Sequence, residues 1–188
     1  QQIQVIDDQA PAVFCPLFDF MEFHLDASGQ IAFPDLRDSV TVTDCSAWTN
    51  TMWPPAGMLF TKDTVVQMTM DIDDVHGNHS DNDHVILIRD TIAPVFNCNL
   101  SFSYSADPGF CGTTVSLPSG LDVDTLITDN CGAAPTWSQI SGPSSGWFPA
   151  DTTWITYEAL DGAGNSATCT FPVIVSDTQA PVFTCPGT

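Results

Sequence analysis

DDQAPAVFCP at residues 7–16, DTIAPVFNCN at 90–99 and DTQAPVFTCP at 177–186 are one signature written three times. Its Ala-Pro pairs begin at Ala10, Ala93 and Ala180, so the repeat is 83 and then 87 residues long. A unit that carries this signature once, at its start, has that size, and two such units fill most of the 188-residue chain.

Between the signatures the apolar residues recur every second position. TTWITYEAL at 152–160 puts Ile155, Tyr157 and Ala159 on one face, and TVVQMTMDI at 64–72 does the same with Val66, Met68, Met70 and Ile72. Period two with polar partners is the pattern of half-buried antiparallel strands. Each later signature follows a further apolar run, VILIRD at 85–90 and FPVIVSD at 171–177. Pro and Gly punctuate the rest, at Pro108-Gly109, Gly77-Asn78 and Gly142-Pro143. No stretch holds a helical period over three turns. Short strands, frequent turns and about 90 residues per unit predict an all-β chain of two tandem immunoglobulin-like β-sandwiches.

Composition agrees and excludes several function classes. Asp and Glu total 23 against three Lys and Arg, for a net charge of −20. Such a chain repels nucleic acid and anionic membrane surfaces. Only Glu22 and Glu158 are Glu; the rest is Asp, which favours turns over helices. No apolar run approaches the ~20 residues a membrane-spanning helix needs, so no membrane insertion is expected. Seven Cys in a Lys-poor chain that starts at Gln1 fit an oxidising, extracellular setting and a mature form after signal cleavage.

From residue 90 onward the motifs are DTIAPVFNC at 90–98, PGFCG at 108–112, TDNCG at 128–132, SGWFP at 145–149, ITYEALDGAGN at 155–165 and ATCTF at 167–171. Together they resemble the hyalin repeat (HYR) family, immunoglobulin-like modules of secreted proteins. The first repeat resembles a degenerate copy: it keeps DDQAPAVFCP, VTDC at 42–45 and an acidic stretch ending in Gly77-Asn78. The resemblance divides the chain into a strand remnant with linker at 1–7, a degenerate HYR-like sandwich at 8–90, an HYR-like sandwich at 91–177 and a first-strand remnant at 178–188.

The same resemblance implies two disulfides, Cys98–Cys111 and Cys131–Cys169. In the first repeat Ile31 and Asn82 fall where Cys111 and Cys169 fall, so Cys15 and Cys45 both lose their family partners and are left to pair with each other or not, as geometry decides. Cys185 remains over, as an intermolecular partner or a free thiol.

The densest polar run is DIDDVHGNHSDNDH at 71–84. Its alternating hard oxygen donors, Asp71, Asp73, Asp74, Asp81 and Asp83, would suit calcium, and its histidines a transition metal; a solvated loop between the last two strands is the plainer reading. No cofactor is required. No nucleophile elbow, P-loop or HExxH run is present, and an enzyme is not expected. Five Trp (Trp48, Trp53, Trp137, Trp147, Trp154) would make a sugar platform or, more ordinarily, core filling. Sequons stand at Asn78 and Asn99. Ser39, Thr64, Thr125 and Thr152 each follow Asp in a pattern resembling a bacterial O-glycosylation signal.

The ends carry the last expectation. IQVID at 3–7 matches VIVSD at 173–177, which closes the second repeat, and the third signature opens another. Either the sequence is a window of a longer array, or the tail strand, with Val182 and Phe183 buried and Cys185 alongside, docks on the next copy and builds a head-to-tail homopolymer. The functions these readings allow are an extracellular structural filament or stalk, or an adhesion module that binds glycans or a cell surface.

Overall fold

The computed structural model of the chain describes residues 2–16, 20–117 and 123–183. Among them the only helical turns are two short 3-10 turns, Arg37–Ser39 and Val123–Leu126; all other regular structure is strand. The all-β expectation holds. Cys185 and Thr184 lie outside the described residues.

The chain divides into two compact units, Gln1–Ile92 with Asn130–Gly132, and Ala93–Asp129 with Ala133–Thr188. The first holds β1 (Ala12–Phe14), β2 (Phe20–His24), β3 (Ile31–Ala32), β4 (Thr41–Thr43), β5 (Trp48–Trp53), β6 (Leu59–Phe60), β7 (Thr64–Asp74) and β8 (His79–Arg89). The second holds β9 (Val95–Phe96), β10 (Phe102–Ser105), β11 (Gly112–Ser116), β12 (Ile127–Thr128), β13 (Thr136–Ser141), β14 (Ser145–Pro149), β15 (Thr152–Leu160) and β16 (Ser166–Ser176).

Both units are wired alike. One layer of the first is the sheet β2-β8-β7-β5, and the facing strands pair as β1-β4 and β3-β6. The second unit repeats this as β10-β16-β15-β13, β9-β12 and β11-β14. In each, the first of the four sheet strands runs parallel to its neighbour and the others antiparallel.

Alternation places the cores. On β7, Met68, Met70 and Ile72 are fully buried, and on β15, Ile155, Tyr157 and Ala159 are buried, because successive side chains leave a strand on opposite faces. The first core adds Leu25, Phe33, Ile86 and Ile88; the second adds Val115, Phe148, Phe171 and Val173. Each core therefore draws on both layers of its unit, which makes each unit a sandwich. Edge-to-face rings, Phe23 on Phe33 and Phe33 on Phe60, fill the first. Phe102 edge-on to Phe171, with Tyr157 stacked on Phe171, fills the second. Burial of each such ring contributes roughly 2 kcal/mol.

One expectation changes here. The acidic run 71–84 is not a long loop. β7 continues through Asp74 and β8 starts at His79, so only residues 75–78 turn. The strand periodicity survives inside the run because Ile72 and Asp74 face inward between outward Asp71 and Asp73.

Candidate functional site

Each Ala-Pro signature opens with an aspartate that folds the chain locally. Asp7 Oδ1 accepts the Gln9 N–H at 3.3 Å, Asp90 Oδ1 the Ile92 N–H at 3.1 Å, and Asp177 Oδ1 the Gln179 N–H at 2.9 Å. This is the turn that an Asp side chain makes with a backbone two residues on. The second carboxylate oxygen takes a thiol: Cys45 donates to Asp7 Oδ2 at 3.0 Å, and Cys131 to Asp90 Oδ2 at 2.7 Å. The Cys45 hydrogen bond, helped by the Gln9 N–H, holds the Asp7 carboxyl below its ordinary range. The same bond pushes the Cys45 thiol up, which disfavours the thiolate that disulfide exchange requires.

A second aspartate repeats in the hairpin turns. Asp74 Oδ1 accepts from the N–H groups of His76 and Asn78, both at 2.8 Å, and its Oδ2 accepts from Asn78 Nδ2 at 2.7 Å. Asp161 Oδ1 accepts from Ala163 at 2.9 Å and Asn165 at 2.8 Å, and its Oδ2 from Asn165 Nδ2 at 2.8 Å. Burial raises the Asp74 pKa, but the Asn78 and His76 bonds outweigh it and hold the group low. The D-x-x-G-N motif is thus a staple across its turn, and Gly77 and Gly164 sit at positive φ inside it, where a side chain would be strained.

The five aspartates named as calcium ligands do not converge. Asp74 faces inward, whereas Asp71, Asp73, Asp81 and Asp83 stand on the outer face of the β7–β8 hairpin. Asp71 lies directly opposite Asp81, and the His79 Nδ1–H donates to the Asp73 carboxylate at 2.8 Å. At the inner pole, Asp7, Asp44 and Cys45 bring ligand atoms within 4.8 Å of one another, as do Asp7, Asp74 and His76. Cys45, which the sequence offers only as a disulfide candidate, enters this group as a thiol donor.

The disulfide pairing requires correction. The bridge is Cys98–Cys169, with Cα atoms 5.2 Å apart, and neither Cys98–Cys111 nor Cys131–Cys169 forms. Register explains this. Cys111 accepts from Ala150 N, and Asp151 in turn accepts from Val175 N, so Cys111 belongs to the Val175 end of β16. Cys169 lies six residues away along that strand, about 20 Å. Cys15 and Cys45 do not pair with each other either. In the β1–β4 ladder Ala12 faces Thr43 and Phe14 faces Thr41, which carries the two cysteines past opposite ends of the ladder. Cys15 meets His84 instead, Sγ to Nε2 at 3.1 Å. His84 is buried, and its Nδ1 has no hydrogen-bond partner among the described residues.

The glycosylation candidates divide by what their side chains already do. Asn78 Nδ2, the atom a glycan would join, is committed to Asp74 and to the Asp7 carbonyl at 3.3 Å. Asn99, Thr125 and Thr152 are exposed; Ser39 and Thr64 are half-buried. The tryptophans depart from the core-filling expectation. All five are at least 41% exposed, with Trp53 and Trp154 near 57%. Trp147 meets Phe110 edge-on at 6.1 Å, and Trp137 Nε1 donates to Asp124 at 2.7 Å.

Comparison with known proteins places the second unit. The HYR domain model matches residues 89–175, and this stretch is an HYR domain. HYR domains occur in extracellular proteins. The solved structures of similar outline include protocadherin gammaB7 EC3-6, at 13% identity and TM-score 0.35, covering 90% of this chain and 51% of that one. An endo-fucoidan hydrolase of glycoside hydrolase family 107 shares 18% identity at TM-score 0.31, covering 92% and 29%. Human protocadherin-24 EC1-2 shares 14% at TM-score 0.34, covering 90% and 99%. The chain thus spans about half the length of the first of these and under a third of the second. No helix among the described residues is long and apolar enough to cross a membrane.

Proposed function

We propose that this chain is an extracellular structural protein whose HYR-like units, roughly 8–90 and 91–177, join head to tail into a filament or stalk. One observation carries the reading. The third signature has already folded its Asp177–Gln179 turn, yet Val182 and Phe183 behind it are each 91% exposed. The counterparts of Phe183, Val13 in the first unit and Phe96 in the second, are half-buried against the two cores. A strand with apolar residues and unpaired backbone groups is stabilised by a neighbour's sheet edge. Such a contact is heterologous and does not close, so it propagates. Cys185 follows directly and would stand beside the receiving unit, where a covalent link becomes available. Glycan on Asn99, Thr125 or Thr152 would keep the shaft soluble. No resident metal is required, with calcium at the acidic pole an optional addition.

Deleting residues 177–188 tests this. Assembly of the purified chain, followed by light scattering and electron microscopy, should be lost while both units stay folded. Filaments that persist without the tail would refute the reading. A second reading, adhesion to carbohydrate, draws on the exposed Trp147–Phe110 pair and Trp154. Retention of the tail-deleted chain on a polysaccharide column, abolished by Trp147→Ala, would favour it.

A further inference from the structure

We propose that residues 177–183 of one copy replace β1 on β4 of a second copy, a strand exchange rather than a simple addition at an open edge. This rests on the head-to-tail reading above and names the surface that receives the tail.

The two segments align without a gap. Asp177 matches Asp7, Gln179 matches Gln9, Ala180 matches Ala10 and Pro181 matches Pro11. Val182 then falls on Ala12 and Phe183 on Val13, each larger than the residue it would replace. The second unit already holds that pair: Val95 and Phe96 form β9, which pairs with β12 as β1 pairs with β4. The tail therefore carries the first strand that this fold uses elsewhere in the same chain.

The receiving unit grips only features that the tail also has. Cys45 donates to the Asp7 carboxylate, Asn78 Nδ2 to the Asp7 carbonyl and Ser80 Oγ to the Pro11 carbonyl at 2.7 Å. Asp177 and Pro181 offer the same carboxylate and the same carbonyls. In register, Val182 would face Thr43 and Phe183 would face Val42, because Ala12 and Val13 face them now.

Resident β1 is also held by few contacts of its own. It pairs over three residues, Ala12 and Phe14 are exposed, and only Val13 points into the core. Cys15 contributes a single hydrogen bond to His84. Its counterpart Cys98 is bonded covalently to Cys169, so β9 cannot leave without breaking that bond. Exchange is thereby confined to the first unit, which gives growth a direction.

The test uses the full 188-residue chain. In the double variant Val182→Cys, Thr43→Cys, both positions are exposed, and mild oxidation should give a covalent ladder of copies. Peptide mapping of isotope-mixed material should find the 43–182 bond between two chains, and at least ten-fold less ladder should form in either single variant. Asn82→Cys supplies a second arm. It places a cysteine where the second unit has Cys169, within reach of Cys15, and so bolts β1 shut. The bonded protein should lose assembly at least ten-fold, while Asn82→Ser, which cannot form the bond, should assemble like the parent. Assembly that survives a verified 15–82 bond, or a ladder lacking the 43–182 bond, would overturn the exchange and leave the head-to-tail reading standing. A parent chain that stays monomeric at every concentration would overturn both.

Discussion

β15 and β16 follow β7 and β8 by 87 positions, and the two hairpins keep one turn and one inner face while their fastenings and outer faces diverge. Asp74 and Asn78 close the first turn as Asp161 and Asn165 close the second, atom for atom. Behind the turn, the second unit bonds Cys98 to Cys169, whereas the first sets Cys15 against a buried His84. Outside, Asp71 opposite Asp81 in the first becomes Glu158 opposite Thr168 in the second. The turn belongs to the fold, since both units need it. The fastening and the outer face are free to differ, and they separate a unit that is locked from one that can open.

The largest expected effect breaks the lock. The bridge closes a sequence separation of 71 residues, and its removal should cost about 4 kcal/mol through the freed unfolded chain. Cys98→Ser should therefore lower the second unit's unfolding transition by tens of degrees and leave the first unit's in place. Calorimetry with peptide mapping checks this. A parent protein found bridged as Cys98–Cys111 would undo the contrast drawn between the units.

A smaller effect tests the shared turn. Asp74→Ala and Asp161→Ala each remove a buried carboxylate and the three hydrogen bonds by which it holds an exposed turn. Each should lower the melting temperature of its own unit by about 10 °C. Equal losses would mark the motif as structural. A much larger loss in the presence of calcium for Asp74 alone would instead assign that carboxylate to a metal.

These experiments probe features that differed in how far the sequence disclosed them. Period two on Met68, Met70 and Ile72, and on Ile155, Tyr157 and Ala159, disclosed the strands because alternation is a property of local backbone. The repeated signature disclosed a unit length because it recurs at a fixed place. Disulfide pairing was not legible, since Cys98 meets Cys169 through the register of strands 71 residues apart. Nor was the placement of the tryptophans, because an aromatic on the outer face of a strand keeps the same alternation as one on the inner face. Cys45 and Cys131 read as disulfide partners, and only their approach to Asp7 and Asp90 reveals them as hydrogen-bond donors. The doublet Asp-x-x-Gly-Asn, once in each hairpin, was the one signal that could have announced the staple. The first copy reads in the sequence as a candidate calcium site or a solvated loop, and the second as part of the HYR pattern.

The smallest effect concerns the outer faces. His79 lies between Asp73, with Nδ1 to Oδ1 at 2.8 Å, and Asp71, with Nε2 to Oδ1 at 3.8 Å. The Asp73 bond raises the His79 pKa above its ordinary value, outweighing the opposing cost of burial with help from the Asp73, Asp71 and Asp81 charges. A histidine whose folded pKa is raised contributes stability that is complete below its unfolded pKa, about 6.5, and is lost as pH climbs through the folded value. The first unit should therefore lose a degree or two of melting temperature between about pH 6 and pH 8. The second unit has Ser166 at that place and should not move with it. Salt should act in the opposite sense on the same face, since screening relieves the Asp71–Asp81 repulsion once His79 is neutral. His79→Gln should flatten the pH slope of the first unit and leave its salt response intact. A slope that survives His79→Gln would shift the titration to another group and break this part of the comparison.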